Sequence, residues 1–182
     1  MKFEDTPLPG LKIVTMNPIV DDRGHFARCF CTEEFAEAGI TYSVVQRNQS
    51  FNHKKGTIRG MHWQKDPHQE SKFVSCSLGR IFDVAVDLRE DSPTYLQWFG
   101  MELTEKQDKM LFVPEGFAHG YQTLTDNAMA VYSVGTAYHP GSADGMRYND
   151  PAIGIDWPIK EPVLSEKDQA WPLLQVGGAK TQ

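Results

Sequence analysis

Short runs in which apolar and polar residues alternate occupy most of the chain, and turn residues separate one run from the next. The clearest run is "RIFDVAVDL", residues 80–88, whose apolar side chains at 82, 84, 86 and 88 share one face while Asp83 and Asp87 lie on the other. Alternation with a period of two is typical of a β-strand. The same criterion predicts nine further strands, at residues 11–16, 25–31, 44–50, 57–64, 72–78, 98–104, 110–113, 120–124 and 128–138.

Helices are predicted to be few and short. In "TEEFAEAG", Thr32 is the expected N-cap and Gly39 ends the helix; in "SEKDQAWP", Ser165 is the expected N-cap and Pro172 the terminator. From Ala137 onward, the chain is rich in proline and glycine and is expected to form a largely irregular wrap. About ten short strands without long helices between them are typical of an all-β sandwich or barrel, which we expect to form one domain over residues 1–182.

Composition narrows the classes of function. The chain has 182 residues, of which 40% are hydrophobic and 23% are charged, as in an ordinary globular domain. Its net charge is −6 and its basic residues are scattered, which argues against a general surface for nucleic acid or for an anionic membrane. A small anionic ligand is not excluded, because a few local cations suffice to bind one.

The N-terminal segment and the cysteines indicate the compartment. "MKFEDTPLPGLKIVTM" lacks the long apolar core of a signal peptide, and no apolar run reaches membrane-spanning length. The three cysteines, Cys29, Cys31 and Cys76, are odd in number and include no CxxC pair. We therefore expect reduced thiols in a cytoplasmic protein, with Cys29 and Cys31 as small core residues on one strand face rather than a redox or metal pair.

Two segments carry most of the candidate chemistry, "GTIRGMHWQKDPHQE" at residues 56–70 and "PEGFAHG" at residues 114–120. They resemble the two signature motifs of the cupin superfamily, which implies a double-stranded β-helix, a jelly-roll barrel with a ligand cavity inside. Cupin metal sites usually take two histidines and a glutamate from the first motif. Here His62 is present, Gln64 stands where the second histidine would be, and Glu70 is displaced by one residue. Because a neutral amide is a poor ligand for a borderline metal, a metal-free pocket is favoured over a metal-dependent cupin site.

The residue types in this region suit proton transfer. A neutral imidazole can take a proton from a carbon next to a carbonyl, and Lys72 can place a cation beside the enolate oxygen that develops. Arg59, Lys72 and Arg23 could also bind a pyrophosphate. Each residue alone would be ordinary on a protein surface, but five candidate side chains lie within the fourteen residues from Arg59 to Lys72. This density favours a functional site.

Longer strings extend the resemblance from one end of the chain to the other: "DDRGHFARCF", "QRNQSFNHKKGTIRGMHWQ", "VDLREDSPTY", "VPEGFAHGYQTLTD", "YNDPAIGIDWP" and "LSEKDQAWP". In this order they are similar to the dTDP-4-dehydrorhamnose 3,5-epimerase family. The resemblance implies a cofactor-independent enzyme that inverts C3, C5 or both in a nucleotide-linked 4-keto-6-deoxyhexose. The reaction that the resemblance favours is the conversion of dTDP-4-dehydro-6-deoxy-D-glucose into dTDP-4-dehydro-L-rhamnose.

The resemblance also implies roles for individual residues. His62 matches the catalytic base, Asp168 the carboxylate that orients it, and Tyr132 the proton donor on the opposite face. Lys72 matches a lysine near the C4 oxygen, and His119 a second histidine that lines the sugar pocket. The positions that match nucleotide-diphosphate binding are Arg23, Phe26, Gln46, Asn48, Arg59 and Tyr138. The family is a homodimer, in which the "RGHF" segment, residues 23–26, reaches the partner's site.

The chemistry of a keto sugar explains these residue types. A C4 ketone acidifies the hydrogens on C3 and C5, so a base on one face and an acid on the other can invert a centre without a cofactor. A carboxylate holds the basic imidazole in one tautomer and makes it more basic. Asp83 is a second candidate for this carboxylate, because it faces away from the apolar side of its predicted strand. A plain carboxylate at the barrel rim would give the same pattern.

Three departures from the family pattern leave the substrate open. Arg28, Met129 and Ala143 stand where the family commonly has acidic residues. The nucleotide base, the sugar and the number of inverted centres therefore stay open, and single-centre epimerases are an alternative. A ketoisomerase on the same barrel would need no acid on the opposite face, so Tyr132 favours epimerisation. A non-catalytic sugar-binding cupin would not need a base, its carboxylate and an acid together.

Overall fold

The computed structural model describes residues 1–174, which form thirteen β-strands and two short α-helices. The strands are β1 Lys2–Asp5, β2 Lys12–Thr15, β3 Ile19–Asp21, β4 Gly24–Phe26, β5 Gln46–Asn52, β6 Ile58–Gln64, β7 Lys72–Leu78, β8 Arg80–Asp87, β9 Trp98–Thr104, β10 Lys109–Val113, β11 Phe117–Thr123, β12 Ala128–Val134 and β13 Ala143–Gly145. The helices are α1 Thr32–Glu37 and α2 Glu166–Ala170.

Two antiparallel sheets pack face to face. One has six strands in the order β1-β2-β10-β7-β12-β5, and the other has five in the order β13-β6-β11-β8-β9. Most neighbours are remote in sequence, since β10 lies between β2 and β7 and β11 lies between β6 and β8. Two facing sheets with this order form a jelly-roll barrel of the cupin type. Strands β3 and β4 form a separate hairpin.

Apolar side chains fill one end of the space between the sheets. Val74 and Leu111 from the six-stranded sheet share a fully buried cluster with Ile81 and Ala85 from the five-stranded sheet. Because side chains alternate along a strand, the inward row continues in steps of two residues. In β7 that row runs from Val74 to Lys72, which begins the strand. The barrel is therefore closed by an apolar core at one end and becomes polar toward the other.

The outer faces of both sheets are also covered. On the five-stranded sheet, Val84 and Ala118 belong to a buried cluster with Trp157 from the C-terminal segment. On the six-stranded sheet, Phe73 packs edge to face against Phe35 of α1, with ring centroids 5.1 Å apart. Central strands such as β8 are consequently buried on both sides. A strand whose sequence alternates between apolar and acidic residues can thus be interior throughout.

The predicted all-β barrel is confirmed, but the strand predicted at residues 25–31 is wrong. Strand β4 ends at Phe26, and residues 27–31 pair with no strand. They lead instead into α1, whose Phe35 is fully buried. Cys29 is exposed and Cys31 precedes the helix, so the expectation that both are core residues of a strand is also wrong. Cys76 is buried in the inner core.

The two predicted helices are present, with one cap displaced. The N-cap of α1 is Cys31, where the backbone is extended, so Thr32 is the first helical residue rather than the cap. Ser165 is confirmed as the N-cap of α2, because its hydroxyl accepts a hydrogen bond from the Asp168 amide at 3.1 Å. The irregular wrap predicted after Ala137 is confirmed for the described residues, apart from β13 and α2.

Strands β1, β3 and β13 are not among the predicted strands, because each has only three or four residues and shows no alternation. Within residues 1–174, no helix has the length and apolar character needed to cross a membrane.

Candidate active site

The polar end of the barrel holds a cavity of about 480 Å³ between the two sheets. Strands β5, β7 and β12 line it from the six-stranded sheet, β6 and β11 line it from the five-stranded sheet, and α2 borders it. Nine of the eleven predicted site residues line this cavity: Gln46, Asn48, Arg59, His62, Lys72, His119, Tyr132, Tyr138 and Asp168.

A β-bulge lies in the wall of the cavity, where β6 pairs with β11. Two residues of β6, Gly60 and Met61, lie opposite a single residue of β11, Gly120. The backbones approach closely here, since a Cβ built on Gly60 would lie 2.6 Å from the Cα of Gly120. Gly60 also has a φ of +136°, which side chains rarely permit. The bulge therefore depends on glycine.

The bulge decides which side chains face the cavity. Arg59 and His62 are three residues apart and would point to opposite sides of a regular strand. The extra residue brings both into the cavity. His62 is the cross-strand partner of His119, so the two imidazoles lie on the same face of the sheet.

A carboxylate from α2 holds His62. Its Nε2 lies 2.6 Å from Asp168 Oδ1, and the other carboxylate oxygen accepts a hydrogen bond from the Ser165 hydroxyl at 2.9 Å. Burial alone would raise the pKa of the Asp168 carboxyl, but the hydrogen bonds and charge of His62 and the Ser165 hydroxyl keep it below its usual value. Because the carboxylate accepts the Nε2 proton, the neutral ring of His62 has its free lone pair on Nδ1. Its side chain is 38% exposed, which leaves the ring accessible from the cavity.

A second histidine–carboxylate pair joins β11 to β8. His119 Nε2 lies 2.9 Å from Asp83 Oδ1, and both side chains are buried. Asp83 lies inside the barrel with no exposed surface and pairs with His119, so the predictions of a rim carboxylate or of a partner for His62 are wrong. The row of β8 that holds Val84 and Val86 packs outward against the C-terminal segment. The alternate row, which carries Asp83, therefore faces the inside of the barrel. Asp83 Oδ2 is buried without a hydrogen-bond partner among the described residues.

Lys72 is held by a buried ion pair. Its Nζ lies 3.0 Å from Glu70 Oε1, and the side chains are only 9% and 12% exposed. The same ammonium donates to the backbone carbonyl of His62 at 3.4 Å. All three residues line the cavity, so Lys72 is placed beside the histidine rather than in solvent.

Tyr132 stands on the other wall. It belongs to β12 of the six-stranded sheet, whereas His62 belongs to β6 of the five-stranded sheet. Burial raises the pKa of its phenol, and the nearby Tyr121 and Glu70 add to this effect against the charge of Arg59. The phenol is therefore kept in its protonated form at neutral pH, as a proton donor requires.

Two cations in the cavity have no carboxylate partner. Arg59 donates from Nε to the amide oxygen of Asn52 at 2.7 Å, and the ammonium of Lys167 lies 5.5 Å from the centre of the Trp171 ring. Within the described part of the chain, neither cation lies within 4.0 Å of a carboxylate. Their charge is available to an anionic ligand.

The mouth of the cavity carries three predicted binding residues. Gln46 donates to Asn48 Oδ1 at 2.8 Å, and its own amide oxygen accepts from the backbone N–H of Tyr138 at 3.4 Å. Tyr138 is 56% exposed, so its ring is free to stack on a planar group. These three residues therefore combine two amide side chains with one exposed aromatic ring.

Arg23 and Phe26 do not reach the cavity of their own chain. They lie on the β3–β4 hairpin, where Phe26 is 72% exposed and Arg23 is paired with Asp21 at 2.5 Å. The prediction that this segment serves a partner's site stays a prediction.

Gln64 has a structural use at the position where the motif would supply a second histidine. Its amide nitrogen donates to the carbonyl of His68 at 3.0 Å, and its oxygen accepts from the backbone N–H of His139 at 2.6 Å. Among residues 1–174, no three His, Cys, Asp or Glu side chains converge as metal ligands would. The expectation of a metal-free reaction stays a prediction.

The three departures from the family pattern lie in different places. Ala143 lines the cavity from β13. Arg28 forms a surface ion pair with Glu34 at 2.7 Å, and Met129 is half-buried on β12 outside the cavity lining. Within one chain, only Ala143 therefore alters the walls of the cavity.

Several cavity residues are absent from the predicted set. Lys167 precedes Asp168 on α2, Trp171 follows the last residue of that helix, and Glu70 acts as an ion-pair partner rather than a displaced metal ligand. The rings of Trp171 and His62 pack edge to face, with centroids 6.0 Å apart. The high density of polar residues from 59 to 72 could have predicted Glu70 as a site residue. The sequence of the C-terminal helix shows only its N-cap, which does not predict that Lys167 or Trp171 lines the cavity.

With the fold, these groups define an enzyme site for acid–base chemistry inside a cupin-type barrel. The model of the dTDP-4-dehydrorhamnose 3,5-epimerase family matches residues 5–176. The chain belongs to this family, and it is an epimerase, that is, an isomerase.

Individual relatives resemble the chain over nearly their whole length. The dTDP-4-dehydrorhamnose 3,5-epimerase of Salmonella typhimurium strain LT2 is 41% identical over 171 residues, which cover 93% of each chain. The crystal structure of the Elizabethkingia anophelis enzyme of the same name has a TM-score of 0.92 at 40% identity and covers 95% of this chain and 96% of its own. The dTDP-6-deoxy-D-glucose-3,5-epimerase of Legionella pneumophila, solved in complex with dTDP-4-keto-L-rhamnose, has a TM-score of 0.90 at 38% identity, covering 96% and 93%.

Proposed function

We propose that this protein epimerises a dTDP-linked 4-keto-6-deoxyhexose at C3 and C5, converting dTDP-4-dehydro-6-deoxy-D-glucose into dTDP-4-dehydro-L-rhamnose. The names of the relatives and the ligand of the Legionella enzyme support this substrate. The observation that carries the proposal is the position of His62 and Tyr132 on opposite walls of one cavity. Inversion of a carbon centre needs a base on one face and an acid on the other.

The proposed proton transfers use one residue from each wall of the cavity. His62 Nδ1 takes the proton from the carbon next to the ketone, and the C–H electron pair moves into the C4 carbonyl to form an enolate. The Tyr132 phenol then gives its proton to the opposite face of that carbon, and the enolate returns to a ketone. Exchange with solvent resets the imidazolium and the phenoxide before the next centre reacts.

Two residues can stabilise the negative charge that develops on the C4 oxygen in the enolate. Lys72 is held beside the site by its contacts with Glu70 and the His62 carbonyl. His119 uses Nε2 for Asp83, so a doubly protonated His119 ring would offer Nδ1–H to the same oxygen, with the Asp83 carboxylate balancing its charge.

The nucleotide diphosphate would be held by the cations without carboxylate partners. Arg59 and Lys167 are suited to the two phosphates. Gln46 and Asn48 lie next along the wall, and the exposed ring of Tyr138 would stack on the base.

The enzyme is further proposed to be a homodimer that acts in the cytoplasm. The exposed apolar residues Ile19, Val20 and Phe26 on the β3–β4 hairpin support an interface with a second copy. In that dimer Arg23 would reach the partner's cavity and add a cation for the diphosphate. The three cysteines are free, which suits a reducing compartment.

Proton NMR in deuterated water tests the reaction. We expect the C3 and C5 signals of dTDP-4-dehydro-6-deoxy-D-glucose to disappear as deuterium enters both positions with inversion, and a His62→Ala sample serves as the control. Exchange at one carbon alone would reassign the protein as a single-centre epimerase. Migration of the ketone would make it a ketoisomerase, and no exchange at either carbon would contradict the proposal.

A further inference from the structure

Glu70 is a cavity carboxylate that takes no part in the proposed proton transfers. It lies two residues before Lys72, at the point where the chain enters β7. Its side chain is 12% exposed and faces the cavity, although it carries a charge that burial disfavours. Its presence there calls for a physical reason.

The contacts of Lys72 supply one. A lysine side chain has a flexible four-carbon stem, and its ammonium is costly to bury without a partner. Glu70 Oε1 forms an ion pair with the ammonium at 3.0 Å, and the His62 carbonyl accepts one of its N–H groups at 3.4 Å. An ammonium has three N–H donors, so it keeps a donor for a ligand in the cavity.

Glu70 is itself held by the wall. Its Oε2 lies 3.4 Å from the amide nitrogen of Gln64, and Gln64 is fixed by the backbone of residues 68 and 139. The carboxylate thus has a polar neighbour on the barrel wall as well as its ion pair with Lys72. Among the described residues, Arg59 has no such carboxylate, and its hydrogen bond goes to the neutral amide of Asn52.

We propose that Glu70 is a positioning residue, which aims a free N–H of Lys72 at the ketone oxygen of the substrate. This inference rests on the proposed function, because it gives Lys72 a task at the C4 oxygen. Glu70 acts through Lys72 and touches no reacting atom. Its negative charge also favours the protonated form of the nearby Tyr132 phenol.

A double-mutant cycle tests the inference. We expect Glu70→Gln to lower kcat about tenfold with little change in KM, because the donor loses its aim but the nucleotide contacts remain. Lys72→Met should lower kcat about a hundredfold. The Glu70→Gln/Lys72→Met double variant should be no slower than Lys72→Met alone, since a positioning residue has nothing left to position. Glu70→Asp, which keeps the charge, should recover part of the tenfold loss.

Two controls separate this role from a general effect on folding. The affinity for dTDP, measured by calorimetry, should stay within about twofold of the wild type in Glu70→Gln. The contacts of Glu70 are with Lys72 and Gln64, and neither is proposed to hold the diphosphate. Glu102→Gln removes a carboxylate from the surface pair with Arg80 and should leave kcat unchanged.

Losses that multiply in the double variant, or a Glu70→Gln enzyme with the kcat of the wild type, would overturn the inference while the proposed function stands. A Lys72→Met enzyme with the kcat of the wild type would overturn both the role of Lys72 and the inference.

Discussion

At the scale of single residues, the site is built from ionisable side chains that are joined to carboxylates in other parts of the chain. His62 and Asp168 are 106 residues apart, and His119 and Asp83 are 36 apart. Their motifs predict that both histidines belong to a functional site. The spacing of residues along the chain does not identify the carboxylate that binds each imidazole. The partner of His62 was predicted only through the family resemblance, and the partner of His119 was not predicted.

His62 should be the base. We expect His62→Ala to lower turnover by at least about a hundredfold, the usual scale for the loss of a general base. Asp168→Asn should also be slow, because an amide can offer an N–H to Nε2 and so favour the wrong tautomer. Deuterium uptake at C3 and C5 gives the rates, and His53→Ala, at an exposed histidine outside the cavity, is the control. Uptake near the wild-type rate in His62→Ala would refute the assignment.

His119 should contribute to stability and to turnover through different nitrogens. His119→Ala leaves the buried Asp83 carboxylate with no partner and should lower the free energy of unfolding by about 3 kcal/mol. His119→Gln can still donate to Asp83, so it should keep most of the stability but lose about tenfold in turnover with the second donor. Urea unfolding and steady-state kinetics on the two variants check this. A Gln variant with full activity would return His119 to a purely structural role.

At the scale of elements, the alternating pattern predicts strands well and strand faces poorly. One face of strand β8 carries two aspartates among its four residues, yet both faces are buried because the C-terminal segment covers the outer one. Its last residue, Asp87, has no exposed surface and binds Arg89, Ser92 and Thr94, so it fixes the start of the loop to β9. No local pattern reveals that a distant segment will cover a strand.

Asp87 gives a prediction about pH. Burial would raise the pKa of its carboxyl, but hydrogen bonds from Arg89, Ser92 and Thr94 lower it from 3.8 to about 2. The stabilisation is therefore complete above pH 3.8 and is lost as the pH falls through about 2. Asp87→Asn should cost about 2 kcal/mol of unfolding free energy at pH 7.

The difference between Asp87→Asn and the wild type should shrink below about pH 4. Chemical denaturation across the pH range measures it, with Asp91→Asn, an exposed carboxylate in the same loop, as the matched control. A difference that does not change with pH would contradict the ionic role of Asp87.

At the scale of the whole molecule, the barrel is what the sequence predicts best, because ten short alternating runs leave few other architectures. The β3–β4 hairpin is exposed and does not line the cavity of its own chain, so a single chain gives it no use. Its strands are too short to alternate, and the residues after Phe26 form no strand. The resemblance alone assigns it to a partner's site.

Complementation between two variants tests that assignment. Arg23→Ala and His62→Ala should each be impaired, but a hybrid dimer has one cavity that combines an intact His62 with the partner's intact hairpin. Random reassociation of equal amounts should therefore restore about a quarter of the wild-type sites. Activity at low substrate after co-refolding measures the gain. A mixture that shows only the mean of its two components would mean that each chain completes its own site.

The extra residue at Gly60 and Met61 means that the length of β6, as well as its composition, sets the spacing of the site. Residues that are two apart in a regular strand share a face, so deleting Gly60 or Met61 would leave Arg59 and His62 on the cavity side with one residue fewer between them. A substitution cannot make this change, because it alters a side chain and not the number of residues. The distance between the cation and the base in this barrel is therefore set by single-codon insertions and deletions, a different class of mutation from those that change the groups themselves.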